Sequence, residues 1–194
     1  MPQYDRKDSF YNKAKKEGYP ARSAYKLIEL DKKFGILKSG YKIVDLGCAP
    51  GGWLKVAEEK RVSAVGIDLL DLQYEPGSHV TFVKGDFLER KNQEKILELL
   101  QGPVDWVLSD MSPNITGIKF KDTAASIELC EAALSFGKET LKKGGGLIVK
   151  LFPGPELEPF KKQLKQFFTK VVPYIPEATR KTSTEIYLVA IGKN

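Results

Sequence analysis

Four aspartates stand where apolar, strand-like runs end: Asp45 in KIVDLG, Asp68 in SAVGID, Asp86 after HVTFVKG and Asp110 in DWVLSDM. Behind the first comes Gly47-Cys48-Ala49-Pro50-Gly51-Gly52-Trp53, a glycine-rich turn that enters a helix. Glycines let the backbone approach a ligand and take positive φ. The first-turn N–H groups of the helix, at Gly52 and Trp53, face the ligand. The spacing is neither the G-x-G-x-x-G of a dinucleotide site nor the Gly-Lys-Ser/Thr of a P-loop. Asp45 at the mouth would repel a phosphate and attract a cation. The ligand this demands is nucleoside-like and positively charged, and S-adenosyl-L-methionine, with its sulfonium and ammonium, meets the demand. Asp68, about twenty residues on, can accept hydrogen bonds from both ribose hydroxyls, as acids do in dinucleotide folds. Asp86 could hold an adenine amino group. One acid at a strand end is ordinarily a solvated turn residue; four in succession point to a site.

Lys150 interrupts the apolar run LIVKLF. A buried amine is costly unless a carboxylate pairs with it or it is neutral. The plainer reading is a stem that packs while its head reaches water at the strand end. Lys26, in the helix before the first strand, and Glu185, at the start of the last one, are further candidates. Nothing in periodicity shows that Lys26, Asp110, Lys150 and Glu185 converge. His79 is the one histidine, in the turn-like GSHVTF, and an exposed position is expected. Acid–base chemistry would therefore fall to Lys, Asp, Glu or Tyr. Cys48 and Cys130 form no C-x-x-C unit, so neither a disulfide nor a zinc framework is expected, and no metal.

The elements that would position these residues alternate between strand and helix from residue 41 on. That pattern means an α/β fold, a mostly parallel sheet with helices on both faces. The last two strands, KVVPYI and EIYLVAIG, have only the polar link PEATRKTST between them and should pair antiparallel. An open sheet of this kind binds ligands at the carboxyl ends of its strands, near the switch point. A stripe of Ile127, Cys130, Leu134 and Leu141 predicts a helix over 122–143. Ala24, Leu27, Ile28 and Phe34 predict another before the first strand.

A chain of 194 residues is most simply one domain, 1–194, with 1–35 a basic helical segment. No apolar run approaches the ~20 residues of a membrane span, and no apolar segment follows the basic start, so no signal peptide is expected. Cytoplasmic residence and no membrane partner are the expectation. The net charge of +6 suits a polyanion. Arg6, Lys7, Lys13, Lys15, Lys16, Arg22 and Lys26 crowd the N-terminus, interleaved with Tyr4, Phe10, Tyr11, Tyr19 and Tyr25. Cations neutralise phosphates and rings stack on bases. A solvated amphipathic helix explains the pattern equally well.

Arg22-Ser-Ala-Tyr-Lys26, Asp45-Leu-Gly-Cys-Ala-Pro-Gly-Gly-Trp53, Gly85-Asp86-Phe87, Ser109-Asp110-Met-Ser-Pro113-Asn114, Val149-Lys150-Leu-Phe152 and Ser183-Thr-Glu185-Ile-Tyr187 stand in family order. On these pieces the chain resembles the RrmJ/FtsJ family of S-adenosylmethionine-dependent ribosomal RNA ribose 2′-O-methyltransferases. The resemblance implies the class I methyltransferase fold, Rossmann-like, with seven strands and the last antiparallel. It implies a Lys-Asp-Lys-Glu tetrad at Lys26, Asp110, Lys150 and Glu185, and cofactor contacts at Gly51, Trp53, Asp68, Asp86 and Asp110. The substrate it implies is a uridine ribose of large-subunit (23S) ribosomal RNA within the ribosomal subunit, or another RNA ribose. RNA rather than DNA is the expected partner, and the short chain suggests a monomer. In the family frame Arg22, Lys26, Lys119, Lys121, Arg180 and Lys181 flank the cleft, which favours RNA docking by the N-terminus. Within the tetrad Lys150 would be the general base, Lys26 would depress its pKa and Asp110 would orient it. Glu185 would hold Lys26 and the ribose. The alternative keeps Lys150 charged and steering the hydroxyl. Outside enzymes of this class, a non-catalytic RNA-binding protein on the same fold fits less well, since all four residues are present. A nicotinamide dehydrogenase is disfavoured by the missing G-x-G-x-x-G.

Overall fold

The computed structural model describes residues 8–194. Tyr4, Arg6 and Lys7 of the basic N-terminal pattern lie outside the described residues. Two helices, α1 (Ser9–Glu17) and α2 (Ala24–Phe34), precede β1 (Lys42–Leu46). The chain then runs α3 (Gly52–Glu59), β2 (Ser63–Asp68), β3 (Val80–Lys84), α4 (Arg90–Leu100), β4 (Val104–Ser109), α5 (Lys119–Thr140), β5 (Leu141–Leu151), α6 (Leu157–Lys165), β6 (Phe168–Tyr174) and β7 (Ile186–Lys193). Among the described residues no helix is long and apolar enough to cross a membrane.

The strands form one sheet in the order β3-β2-β1-β4-β5-β7-β6. All neighbours are parallel except β7, which lies antiparallel between β5 and β6. This is the architecture that the alternation and the resemblance imply. The order reverses between β1 and β4, so the ligand-binding crevice falls at their carboxyl ends. Strand residues alternate between faces. Val44, Leu46, Leu147, Val149, Leu188 and Ala190 pack with α4, α5 and α6 residues. Ile43, Leu108, Ile148 and Val189 pack with Ala24, Leu27 and Leu30 of α2 and with Leu54 of α3. Asp45 alternates with Ile43, Lys150 with Ile148 and Tyr187 with Val189, while Asp110 continues the run Trp106, Leu108. The polar residues of the crevice therefore share the sheet face that α2 and α3 cover.

The helix predicted over 122–143 ends at Thr140 instead, and Leu141 opens β5. Leu141 pairs with Val104 of β4. The Lys193 ammonium takes the Lys138 carbonyl (2.6 Å), left unpaired in the last turn of the helix, and the Leu141 carbonyl (2.7 Å) just past it. Leu141 is buried as a strand residue, not as the last member of the helical stripe.

The link between β6 and β7 is tied to the N-terminal helices. Glu29 of α2 accepts hydrogen bonds from the Tyr174 hydroxyl and, at 2.8 Å, from the Glu177 N–H. Arg22 pairs with Asp8 and donates to the Ala178 carbonyl, and Ala178 packs with Ala14 and Tyr25. Glu29→Ala is expected to lower stability by about 1.5–3 kcal/mol, the range for hydrogen bonds to a charged acceptor. It should also speed amide exchange at Glu177 selectively. Unchanged exchange there would show that Glu29 does not hold the link.

Candidate functional site

The first part of the site is the turn after β1. Gly47 has φ +76°, and a Cβ there would stand 2.7 Å from Met111 Cγ and 2.9 Å from Met111 Cα. Only glycine lets the β1 turn lie this close to the chain leaving β4. Gly51 has φ +108°, and its Cβ would lie 2.5 Å from the Tyr74 ring. The turn is held to the end of β2 by Asp68, which accepts from the N–H groups of Ala49 and Leu70, both at 2.9 Å. Asp86, past the end of β3, is half-buried and accepts from the Leu88 N–H at 2.9 Å. Gly52 and Trp53 are placed differently from a direct side-chain contact with a ligand. A Cβ on Gly52 would meet Ser23 Oγ at 2.9 Å, and the Trp53 indole N–H donates to the Ser23 carbonyl at 2.8 Å. The indole is buried and lies 6.0 Å from the Tyr187 ring, tilted by 36°. It is a prop beneath the site, and what these two residues can offer a ligand is their main chain.

Asp45 is only 1% exposed. Neither of its oxygens has a hydrogen-bond donor among the described residues. Burial, and then the negative charges of Asp110 and Asp68, push its pKa well above the usual carboxylate range. A buried, unpaired carboxylate is a costly arrangement. A cation delivered by a ligand would relieve it, and the turn thus fits a nucleoside-like, positively charged molecule.

The second part is a chain of polar contacts. Lys150 Nζ lies 2.9 Å from Asp110 Oδ1 and donates to the Asp110 carbonyl at 2.6 Å. The other lysine, Lys26, is paired with Glu185. Tyr187 joins the two pairs: its hydroxyl donates to Asp110 Oδ1 at 2.7 Å and accepts from Lys26 Nζ at 3.2 Å. All four tetrad residues thus meet. The link is a residue that the reading of the sequence quoted within a motif but assigned no role. Its signal was the tyrosine in an otherwise apolar last strand. What placed it is the register, in which Tyr187 of β7 stands directly opposite Lys150 of β5. Burial raises the Asp110 pKa, but the charges of Lys150 and Lys26 and the hydrogen bond from Tyr187 outweigh it, and the group ends below its ordinary value. Burial, with Asp110 and Glu185 close by, holds the Tyr187 phenol well above its own, so it stays a donor.

A cleft of about 750 Å³ opens beside this chain. Lys26 and Glu185 line it, together with Arg22, Ser112, Ile115, Lys119 and Arg180. Of the cations expected to flank it, Lys121 and Lys181 are exposed but not in its lining. Phe10 and Tyr19 both pack against the Tyr25 ring, with centroids 5.6 and 5.7 Å away, so these three aromatics also tie the N-terminal helices together. Tyr11 is exposed.

The family model for FtsJ-like methyltransferases matches residues 19–193. A ribosomal RNA large subunit methyltransferase E from Methanothrix thermoacetophila is 44% identical over 186 residues, covering 95% of this chain and 72% of that protein. One from Nitrosospira multiformis is 45% identical over 190 residues, covering 96% and 91%. Among solved structures, a Plasmodium falciparum protein described as a ribosomal RNA methyltransferase superposes with a TM-score of 0.79 at 33% identity, over 90% of this chain and 98% of that one. The strand order, the switch-point turn and these similarities agree, and the chain belongs to the FtsJ-like methyltransferase family, with the class I methyltransferase fold.

Proposed function

We propose that the protein transfers a methyl group from S-adenosyl-L-methionine to a ribose 2′-hydroxyl of RNA, a uridine of large-subunit (23S) ribosomal RNA within the ribosomal subunit. The observation that carries this is the contact chain Glu185–Lys26–Tyr187–Asp110–Lys150, at the junction of a basic cleft and the glycine turn. The names of the similar proteins support the choice of RNA. Asp45, Gly47, Gly51, Asp68, Asp86, Asp110 and the main chain of Gly52 and Trp53 would hold the cofactor. When bound, it supplies the electrophilic sulfonium methyl.

The protein's own task is to fix the ribose oxygen in line with that methyl and to manage its proton. Lys150 and Lys26 each have a carboxylate partner, so neither cation stands uncompensated beside the other. This pairing favours the second role considered for Lys150. It acts as an ammonium that donates to the ribose oxygen and aims a lone pair, with proton loss following methyl transfer. Asp110 orients Lys150 through two contacts. Glu185 holds Lys26 and accepts from the ribose. Tyr187 fixes the distance between the pairs.

The test is labelled S-adenosyl-L-methionine with large ribosomal subunits from a strain lacking the enzyme, followed by mapping of the modified nucleotide. Label resistant to alkaline cleavage at one uridine supports the reading; label on a base, or none, overturns it. Tyr187→Phe is expected to keep the fold, lose about 1–2 kcal/mol for its buried hydroxyl and slow single-turnover transfer roughly tenfold through misplacement of the lysines. A rate equal to wild type would remove Tyr187 from the site.

A further inference from the structure

The segment after β4 carries a second feature of the cleft. Ile115, Ile118 and Phe120 are large apolar side chains, 68%, 52% and 69% exposed. Ile115, Gly117 and Lys119 line the cleft, and Ile118 and Phe120 are their immediate neighbours in the chain, Phe120 in the first turn of α5. Lys119 and Lys121 stand on either side of Phe120. The segment is built rather than loose. Asp122 accepts from Thr116 N–H (2.8 Å), Thr116 Oγ1 (2.7 Å) and Gly117 N–H (3.0 Å), and the Ile118 N–H donates to Thr116 Oγ1 at 3.2 Å. Exposing three such side chains within six residues has no folding benefit.

We propose that this segment is a rim of the cleft and a stacking platform for an unpaired RNA base flanking the target nucleotide, with Phe120 as the ring that receives it. The inference rests on the RNA-methyltransferase reading above. Four observations select the occupant: the Phe120 ring is exposed, its chain neighbour Lys119 lines the cleft that holds Lys26 and Glu185, cations flank it in sequence, and three of the N-terminal rings, Phe10, Tyr19 and Tyr25, are packed on one another. A ring beside ammonium groups suits a base and its phosphate better than an apolar protein surface. A base held outside the cleft would splay the strand and present the next ribose to the tetrad, which a continuous duplex does not allow.

The test uses the full chain. Phe120 is exposed, so Phe120→Ala should leave stability nearly unchanged. It should raise KM for undermethylated large subunits about tenfold, equivalent to ~1.4 kcal/mol and within the range of base–aromatic stacking. Its kcat and its affinity for adenosylhomocysteine should match wild type. Phe120→Trp should restore KM and provide a reporter, because Trp53 and Trp106 are buried. Its indole emission should be quenched by a single-stranded RNA oligonucleotide. An unchanged KM in Phe120→Ala, or no quenching, overturns the proposal. A raised KM on subunits without quenching by RNA assigns the rim to a ribosomal protein and also overturns it. If wild type methylates no RNA, the functional reading fails, and the quenching alone still decides the rim.

Discussion

Lys150→Met lowers the single-turnover rate of RNA methylation on the order of 10³-fold, the loss expected when one positioned polar group is removed from the reacting oxygen. Methionine keeps an unbranched apolar stem on the α2–α3 face of β5, so the strand stays paired with β4 and β7. Affinity for adenosylhomocysteine should change little, because the loss falls on transfer rather than on cofactor binding. The pH profile of the unsubstituted enzyme separates the two roles. A neutral base gives a rate that climbs with pH until the amine is titrated. A steering ammonium gives a rate that is flat near neutrality and falls at alkaline pH. The substitution also changes acid stability, with a sign that follows from Asp110. Its folded pKa is depressed, so its contribution is present above the unfolded value near ~3.9 and is lost as pH falls through the folded value. Removing Lys150 takes away the largest of the influences that lower that pKa, so the acid transition of the variant moves to higher pH. A variant that transfers methyl at the wild-type rate leaves Lys150 without a catalytic role.

Asp45→Asn should act in two opposite directions. The Asp45 pKa is raised, chiefly by burial and then by Asp110 and Asp68. Its stabilising contribution is therefore complete below the unfolded value near ~3.9 and is lost as pH rises towards the folded one. At neutral pH the fold carries an unfavourable carboxyl that asparagine does not impose. The ligand-free variant should melt higher, by about 2–4 °C for each kcal/mol gained in a chain of this size, and its stability should no longer decline through that pH range. The cofactor should bind at least about thirtyfold more weakly, the lower end for removing one partner of a buried charge pair. Thermal melts with and without adenosylhomocysteine read both: a higher starting midpoint and a smaller ligand-induced shift. A lower midpoint in the free variant would mean that the carboxylate is already satisfied in the fold.

Much of this protein is readable in one dimension because its signals are local. Short continuous apolar runs with Asp45, Asp68 and Asp110 at or beside their ends announce strands whose carboxyl ends meet at the crevice. The glycines after Asp45 announce a turn that no side chain could fill, which the 2.7 Å approach at Gly47 bears out. Residue type did not say where the Trp53 indole or the rings of Phe10, Tyr19 and Tyr25 would pack, because ring contacts are set by tertiary neighbours. The end of α5 at Thr140 was hidden because Leu141 fits a helical stripe and a strand equally well, and pairing with Val104 decided between them.

What the chain order by itself determined was the α/β alternation, the strand-end acids and the family-like motif set, all of which depend on neighbours a few residues apart. The convergence of Lys26, Asp110, Lys150 and Glu185 depended on strand order. Once β7 enters antiparallel between β5 and β6, Tyr187 faces Lys150, and residues 26 and 185 close on each other across 159 positions of sequence. Hydrogen-bond partners between strands are set by the whole sheet, and no local pattern encodes which strand a given edge will accept.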